Sequence, residues 1–188
     1  GEPGYETWED TTAYKHMGGA KSWSGFSLDA KRGILFAGTS TPTNDFYGGN
    51  RLGDGLYGNS LLAIEAETGK LKWHFQTVHH DVWDMDLSSP PALVTIKRGN
   101  TSVDAVALTT KTGFVFVFNR LTGEPLFPIE EKTVPTNDVA LGEKLSPTQP
   151  FPRKPAPFVR QHLTENDLNP FLDDSSYQKI KATFKAYR

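Results

Sequence analysis

The sequence contains no cysteine. Disulfide bridges and thiolate metal sites are therefore excluded, while an oxidising and a reducing compartment both stay open. Long apolar runs are also missing: no stretch approaches the roughly 18 to 20 residues that a membrane-spanning helix needs. Charge of one sign is not in excess. Lys and Arg number 20 against 22 Asp and Glu, a formal net charge of −2, so no broad attraction to nucleic acid or an anionic membrane is expected. The chain opens at Gly1 with no methionine and no signal peptide, and we expect an internal fragment of a longer protein.

What is present is turn-forming and aromatic. Seventeen glycines, 13 prolines and 12% aromatic residues in 188 residues indicate many short strands with frequent turns. Phe26 and Leu28, the turn 29–33 and Ile34-Leu35-Phe36-Ala37 read as a hairpin. Ser60 to Ile64, a polar turn containing Thr68-Gly69, and Leu71 to Phe75 read as strand, turn, strand. The same unit recurs as Phe114 to Phe118, a turn containing Thr122-Gly123, and Pro125-Leu126-Phe127, with the two Thr-Gly pairs 54 residues apart. Strands at Ala92–Ile96 and Val103–Leu108 lie between them. About four antiparallel strands per repeat of roughly 50 residues is the pattern of a β-propeller blade, and a β-sandwich with two similar hairpins is the alternative.

The remainder differs in composition. Residues 128–160 read as a proline-rich extended insertion, because proline at that density prevents helix and blocks central strand pairing. Residues 161–188 read as a tail with a short helix capped by Ser175 or Ser176, with Tyr177, Ile180 and Phe184 on one face. Propeller strands are expected over residues 1–127.

The densest chemistry is His79-His80-Asp81-Val82-Trp83-Asp84-Met85-Asp86. Adjacent histidines on extended chain point to opposite sides, so a zinc site is poorly supported. The carboxylates suit a hard cation or a general base better, and turn capping remains an ordinary alternative use for them. His16, His74 and His162 stand alone and read as structural.

Gly58 to Ile64, Thr68-Gly69-Lys70 with Trp73, the loop Thr77 to Leu87, and Thr110-Lys111-Thr112-Gly113-Phe114 resemble the pyrroloquinoline quinone (PQQ) dependent dehydrogenases, in particular the membrane-type quinoprotein glucose dehydrogenase branch. Pro147 to Phe151 is similar to a segment of that branch, and the resemblance runs from about Trp8 to Gln161. It implies an all-β chain holding about three blades of an eight-bladed quinoprotein propeller. It also implies PQQ and Ca²⁺ (or Mg²⁺) as cofactors, with oxidation of a glucose-like aldose or an alcohol and electrons passed to ubiquinone or a cytochrome. The implied setting is the periplasm, with any inner-membrane attachment made by parts outside this chain.

The implied roles fall on individual residues. Asp84 matches the general base, Lys111 a basic residue at the reactive quinone oxygens, and Trp23 the indole floor beneath the cofactor. Thr39 stands near the place of an asparagine metal ligand, so it could offer the cation an oxygen but not an amide carbonyl. His79, His80 and Asp81 are expected to build the loop. Further metal and cofactor contacts are expected outside the chain, so a fragment of this kind would be inactive alone. The competing expectation is a non-catalytic propeller of PQQ-like repeats, acting as an envelope scaffold or binding module.

Overall fold

The computed structural model describes residues 2–137 and 139–186. The chain divides into two compact units, Gly1–Phe158 and Val159–Arg188. In the first unit, β1 (Phe26–Asp29), β2 (Ile34–Gly38), β3 (Ser60–Glu65) and β4 (Leu71–Gln76) form a four-stranded antiparallel meander. A second sheet has three strands: β5 (Ala92–Arg98), β6 (Thr101–Thr109) and β7 (Val115–Asn119). Each follows its neighbour in sequence, the connectivity that short turns impose on antiparallel pairs.

The core lies between these two sheets and obeys a period of two. Ile34 and Phe36, Leu61 and Ala63, Val106 and Leu108, and Phe116 and Phe118 are all buried in one cluster. Successive side chains on a strand point to opposite faces, so each i, i+2 pair turns the same face inward. Trp73 and Phe75 close the cluster from β4, with Trp73 5.7 Å from Phe36 and 5.8 Å from Phe118 between ring centroids. Full burial of a phenylalanine such as Phe36, Phe116 or Phe118 contributes roughly 1.5–3 kcal/mol.

A buried ion pair ties the sheets together as well. Arg120, just past β7, donates from Nη1 to Asp29 Oδ2 at 3.0 Å and from Nη2 to the Val94 and Ala105 carbonyls at 3.0 and 3.2 Å. Burial opposes the charge of Asp29, but hydrogen bonds from Arg32 and Arg120 hold its carboxyl below the ordinary range.

The two Thr-Gly turns are the same device. Gly69 N donates to Glu65 O and Gly123 N to Asn119 O, both at 2.9 Å, with φ of 73° and 75°. Their sequels differ. After Gly69 the chain returns as β4, whereas the expected strand 125–127 shrinks to a single bridge between Phe118 and Pro125. Pro125 itself occupies a pair that exchanges no hydrogen bonds, flanked by bonds from Asn119 N to Glu124 O and from Leu126 N to Val117 O, both at 2.8 Å. The described residues make one complete four-strand sheet, one three-strand sheet and a separate two-strand ribbon.

That ribbon lies within the expected insertion. β8 (Ile129–Thr133) and β9 (Thr148–Pro152) pair antiparallel despite Pro150 and Pro152. Bonds from Val134 N to Pro147 O and from Arg153 N to Pro128 O set the parity of the ladder. By that parity, both prolines fall on pairs that exchange no hydrogen bonds, so no donor is missed.

The second unit carries α1 (Asp174–Ala186). Its cap is Asp173, which accepts Ser176 N at 3.0 Å, and not Ser175 or Ser176 as the sequence suggests. Glu165 pairs with Lys181 at 2.9 Å and Lys185 at 3.0 Å. Among the described residues no helix is long and apolar enough to cross a membrane.

The two matched turns give a paired prediction. A Cβ on Gly69 would meet nothing within 4 Å, whereas one on Gly123 would sit 2.6 Å from Trp73. Gly69→Ala should therefore cost only the left-handed backbone penalty of about 1–2 kcal/mol. Gly123→Ala should add about 1–3 kcal/mol of overpacking. Urea midpoints of the two variants in the intact protein measure the difference; equal shifts would show that the sheets do not approach this closely.

Candidate active site

The loop after β4 is shaped by one buried carboxylate. Asp81 Oδ1 accepts Trp83 N at 2.8 Å, and Oδ2 accepts Met85 N at 2.7 Å, Asn59 Nδ2 at 2.8 Å and the Thr41 hydroxyl. The Arg51 guanidinium, itself buried, bonds the Asp81 carbonyl and Asn44 O. Short-range acceptance of N–H groups two and four residues ahead curls the chain, as aspartate does in turns. Asp84 then adopts φ 53°, and its N–H reaches Asp45 O at 3.2 Å.

This curl brings Asp84 and Asp86 to Lys111. Lys111 Nζ lies 3.0 Å from Asp84 Oδ2, 2.9 Å from Asp84 O and 3.4 Å from Asp86 Oδ2. The lysine is presented by the turn between β6 and β7, closed by Gly113 N donating to Thr110 O at 3.0 Å. Burial opposes its charge, but the hydrogen bond and charge of Asp84 and the charge of Asp86 outweigh it, so its pKa is raised. Lys111 is therefore cationic at neutral pH, and its hold on the carboxylates is lost only as pH rises through that raised value.

Asp86 joins a third element. Its Oδ2 accepts Trp23 Nε1 at 3.2 Å and its Oδ1 accepts Thr41 N at 2.8 Å. Trp23 is 51% exposed, so its indole is anchored at the nitrogen while the ring stays open. Lys21, Trp23, Asp45, Asp84, Asp86 and Lys111 line one cleft of about 660 Å³. That size falls within the range of small-molecule sites, roughly 300–1,000 Å³.

Asp84, Lys111 and Trp23, distant in sequence, thus share a cleft. Thr39 does not line it. Its hydroxyl donates to Tyr57 O at 2.6 Å and accepts Ser60 N at 2.8 Å, committing it to the link between β2 and β3. The expectation of a cation ligand at Thr39 is corrected accordingly, since Ser40, Thr41 and Thr43 line the cleft instead. Asp86 belongs to the site as well, and its i, i+2 spacing from Asp84 is the signal for it in the sequence.

An open indole face, a fixed ammonium and space for a ring system suit a flat ligand with hydrogen-bond acceptors at its edge. The residues do not complete a cation site, because among the described residues no group of three His, Cys, Asp or Glu could hold a metal.

Comparison with known proteins agrees with this chemistry. The family model for the PQQ glucose/ethanol/alcohol dehydrogenase beta-propeller domain matches residues 1–188. The chain is 45% identical over 136 residues to quinoprotein glucose dehydrogenase A of Acinetobacter calcoaceticus, covering 69% of this chain and 17% of that protein. It is 43% identical over 131 residues to the quinoprotein glucose dehydrogenase of Escherichia coli K12, covering 69% and 16%. Among solved structures it resembles the quinohemoprotein alcohol dehydrogenase of Comamonas testosteroni, with TM-score 0.61 and 28% identity over 78% of this chain and 22% of that one. This chain belongs to the PQQ-dependent glucose/ethanol/alcohol dehydrogenase family and forms part of its β-propeller domain.

Proposed function

We propose that the protein carrying this chain oxidises a glucose-like aldose or an alcohol in the periplasm, passing electrons to ubiquinone or a cytochrome. The observation that carries this reading is the 3.0 Å contact between Asp84 and Lys111 beside the open face of Trp23. Alcohol oxidation needs an acceptor for the hydroxyl proton and one for the carbinol hydrogen with its electron pair. Bound PQQ supplies the second acceptor, together with a Ca²⁺ or Mg²⁺ ion whose ligands would come mainly from elsewhere in the protein.

Each residue then has a defined task. Asp84, the carboxylate of an ion pair at the cleft, takes the hydroxyl proton on Oδ2 or its free Oδ1. Lys111 would turn an N–H toward the quinone oxygens in exchange for one of its three present acceptors, and its charge offsets part of that of Asp84 and Asp86. Trp23 offers the indole face for stacking, its plane held by the bond to Asp86.

Two outcomes are expected in the full-length enzyme reconstituted with PQQ and Ca²⁺. Asp84→Asn keeps the shape but removes the base, and should lower glucose turnover in a dye-linked assay by about two or more orders of magnitude; an unchanged rate would remove the assignment. Trp23→Ala should weaken PQQ binding about 2- to 12-fold, the equivalent of one aromatic stacking contact. Fluorescence titration of the apoenzyme reads this directly, and wild-type affinity would place the cofactor away from Trp23.

A further inference from the structure

Between β8 and β9 the chain leaves the ribbon and returns to it, and this excursion is fastened to both loops that build the cleft. Tyr47 OH donates to Leu141 O at 3.0 Å. At the foot of the excursion, the Gln149 side chain exchanges two bonds with the His79 main chain, at 2.9 and 2.7 Å. The buried fastening is Glu143. Its Oε2 accepts Gly48 N at 2.6 Å, and its Oε1 lies 2.6 Å from His80 Nε2. The two side chains are only 4% and 1% exposed.

His80 is held from both sides, for its Nδ1 lies 2.8 Å from Gly53 O. A carbonyl only accepts, so Nδ1 carries a proton, and a further proton lies between Nε2 and the carboxylate. The ring reaches Glu143 because residue 48 is glycine: a Cβ there would stand 2.7 Å from Nε2. Burial works against the Glu143 charge, but His80 and the Gly48 N–H hold its carboxyl below the ordinary range.

We propose that Glu143 is a positioning residue for Asp84, acting through His80. The proposal rests on the assignment of Asp84 as proton acceptor. His80 and Asp84 both hold left-handed backbone, φ 44° and 53°. Between them the Asp81 carboxylate clamps the N–H groups of Trp83 and Met85, which ties residues 81–85, next to His80, into one turn. Left-handed conformations at two non-glycine residues cost about 1–2 kcal/mol each and persist only where the surroundings impose them. Glu143 supplies that constraint at His80, from 63 residues away. A displacement of about 1 Å at a reacting group can cost about 10²-fold in rate.

The full-length holoenzyme tests this with a double-mutant cycle. Glu143→Ala should lower kcat about 10-fold or more, with KM for glucose and PQQ affinity within about 3-fold of wild type. Glu143→Gln should restore most of the rate, because its amide oxygen can accept Gly48 N–H while its amide N–H donates to a neutral ring. In the Asp84→Asn background, Glu143→Ala should cause no further loss, since no base remains to be positioned. A wild-type rate for Glu143→Ala, or losses that multiply in the double variant, would overturn the proposal. Should Glu143→Ala fail to fold, Glu143→Asp takes its place in the cycle, too short to keep both contacts. Asp84→Asn at the wild-type rate would sink the proton-acceptor assignment and this proposal with it; an inactive Asp84→Asn beside an unaffected Glu143→Ala sinks this proposal alone.

Discussion

The site depends on a carboxylate that performs no chemistry in it. Asp81 is buried, and transferring an ionised carboxylate out of water costs several kcal/mol unless its lone pairs are satisfied. Four donors do so: two main-chain N–H groups of its own loop, the amide of Asn59 and the hydroxyl of Thr41. Because the last two come from outside the loop, the same bonds that satisfy the charge also fix where the loop sits. The left-handed residue Asp84 lies between the two N–H groups, of Trp83 and Met85, that Asp81 holds.

A fixed loop is useful only on a fixed base. The loop begins where β4 ends, and Lys111 sits on a turn of the neighbouring sheet, so the contact between Asp84 and Lys111 spans two sheets. Its geometry is only as good as the packing between them. Trp73 and Phe75 set the spacing with their rings, and Arg120 limits sliding by holding Asp29 of one sheet and the Val94 and Ala105 carbonyls of the other. Removing one partner of such a buried pair costs about 3–5 kcal/mol because the other charge is stranded. The ion pair therefore specifies alignment, while the aromatic cluster supplies most of the cohesion.

The strands were legible because their cue is local. Alternation at Ile34 and Phe36, or Phe116 and Phe118, reports an inward face without knowledge of the partner. The repeated Thr-Gly turns were legible for the same reason. Family resemblance carried Asp84, Lys111 and Trp23, and the structure brings those three together. What the sequence hides is long-range satisfaction of polar groups. Glu143 sits in a stretch whose prolines argue for irregular chain, and nothing near it signals a histidine 63 residues earlier. Thr39 misled in the opposite way: the end of a strand is where alternation stops reporting direction, and its hydroxyl turned to β3 while Thr41 faces the cleft. Pro125 and Pro150 show that proline must be read with its register. Both occupy pairs that need no donor.

The charges in the cleft form a graded arrangement. Asp84 and Asp86 stand two residues apart and face the same ammonium, an arrangement that would repel without Lys111. They are not equivalent. Asp86 also accepts from Trp23 and from Thr41 N, so its charge is shared among three donors and it is tied in place. Asp84 Oδ2 has Lys111 as its side-chain partner, and its side chain is 33% exposed. Of the two, Asp84 is the carboxylate that can change partners when a substrate enters, while Asp86 keeps the lysine and the indole aligned. Water-exposed ion pairs are worth little, roughly 0–1 kcal/mol, and that weakness suits a group that must exchange one hydrogen-bond partner for another during turnover. The same sharing explains why the lysine stays protonated: two carboxylates offset what its partial burial costs. The loop therefore separates a carboxylate that holds the site from one free to react, because Trp23 Nε1 and Thr41 N bind Asp86 and not Asp84.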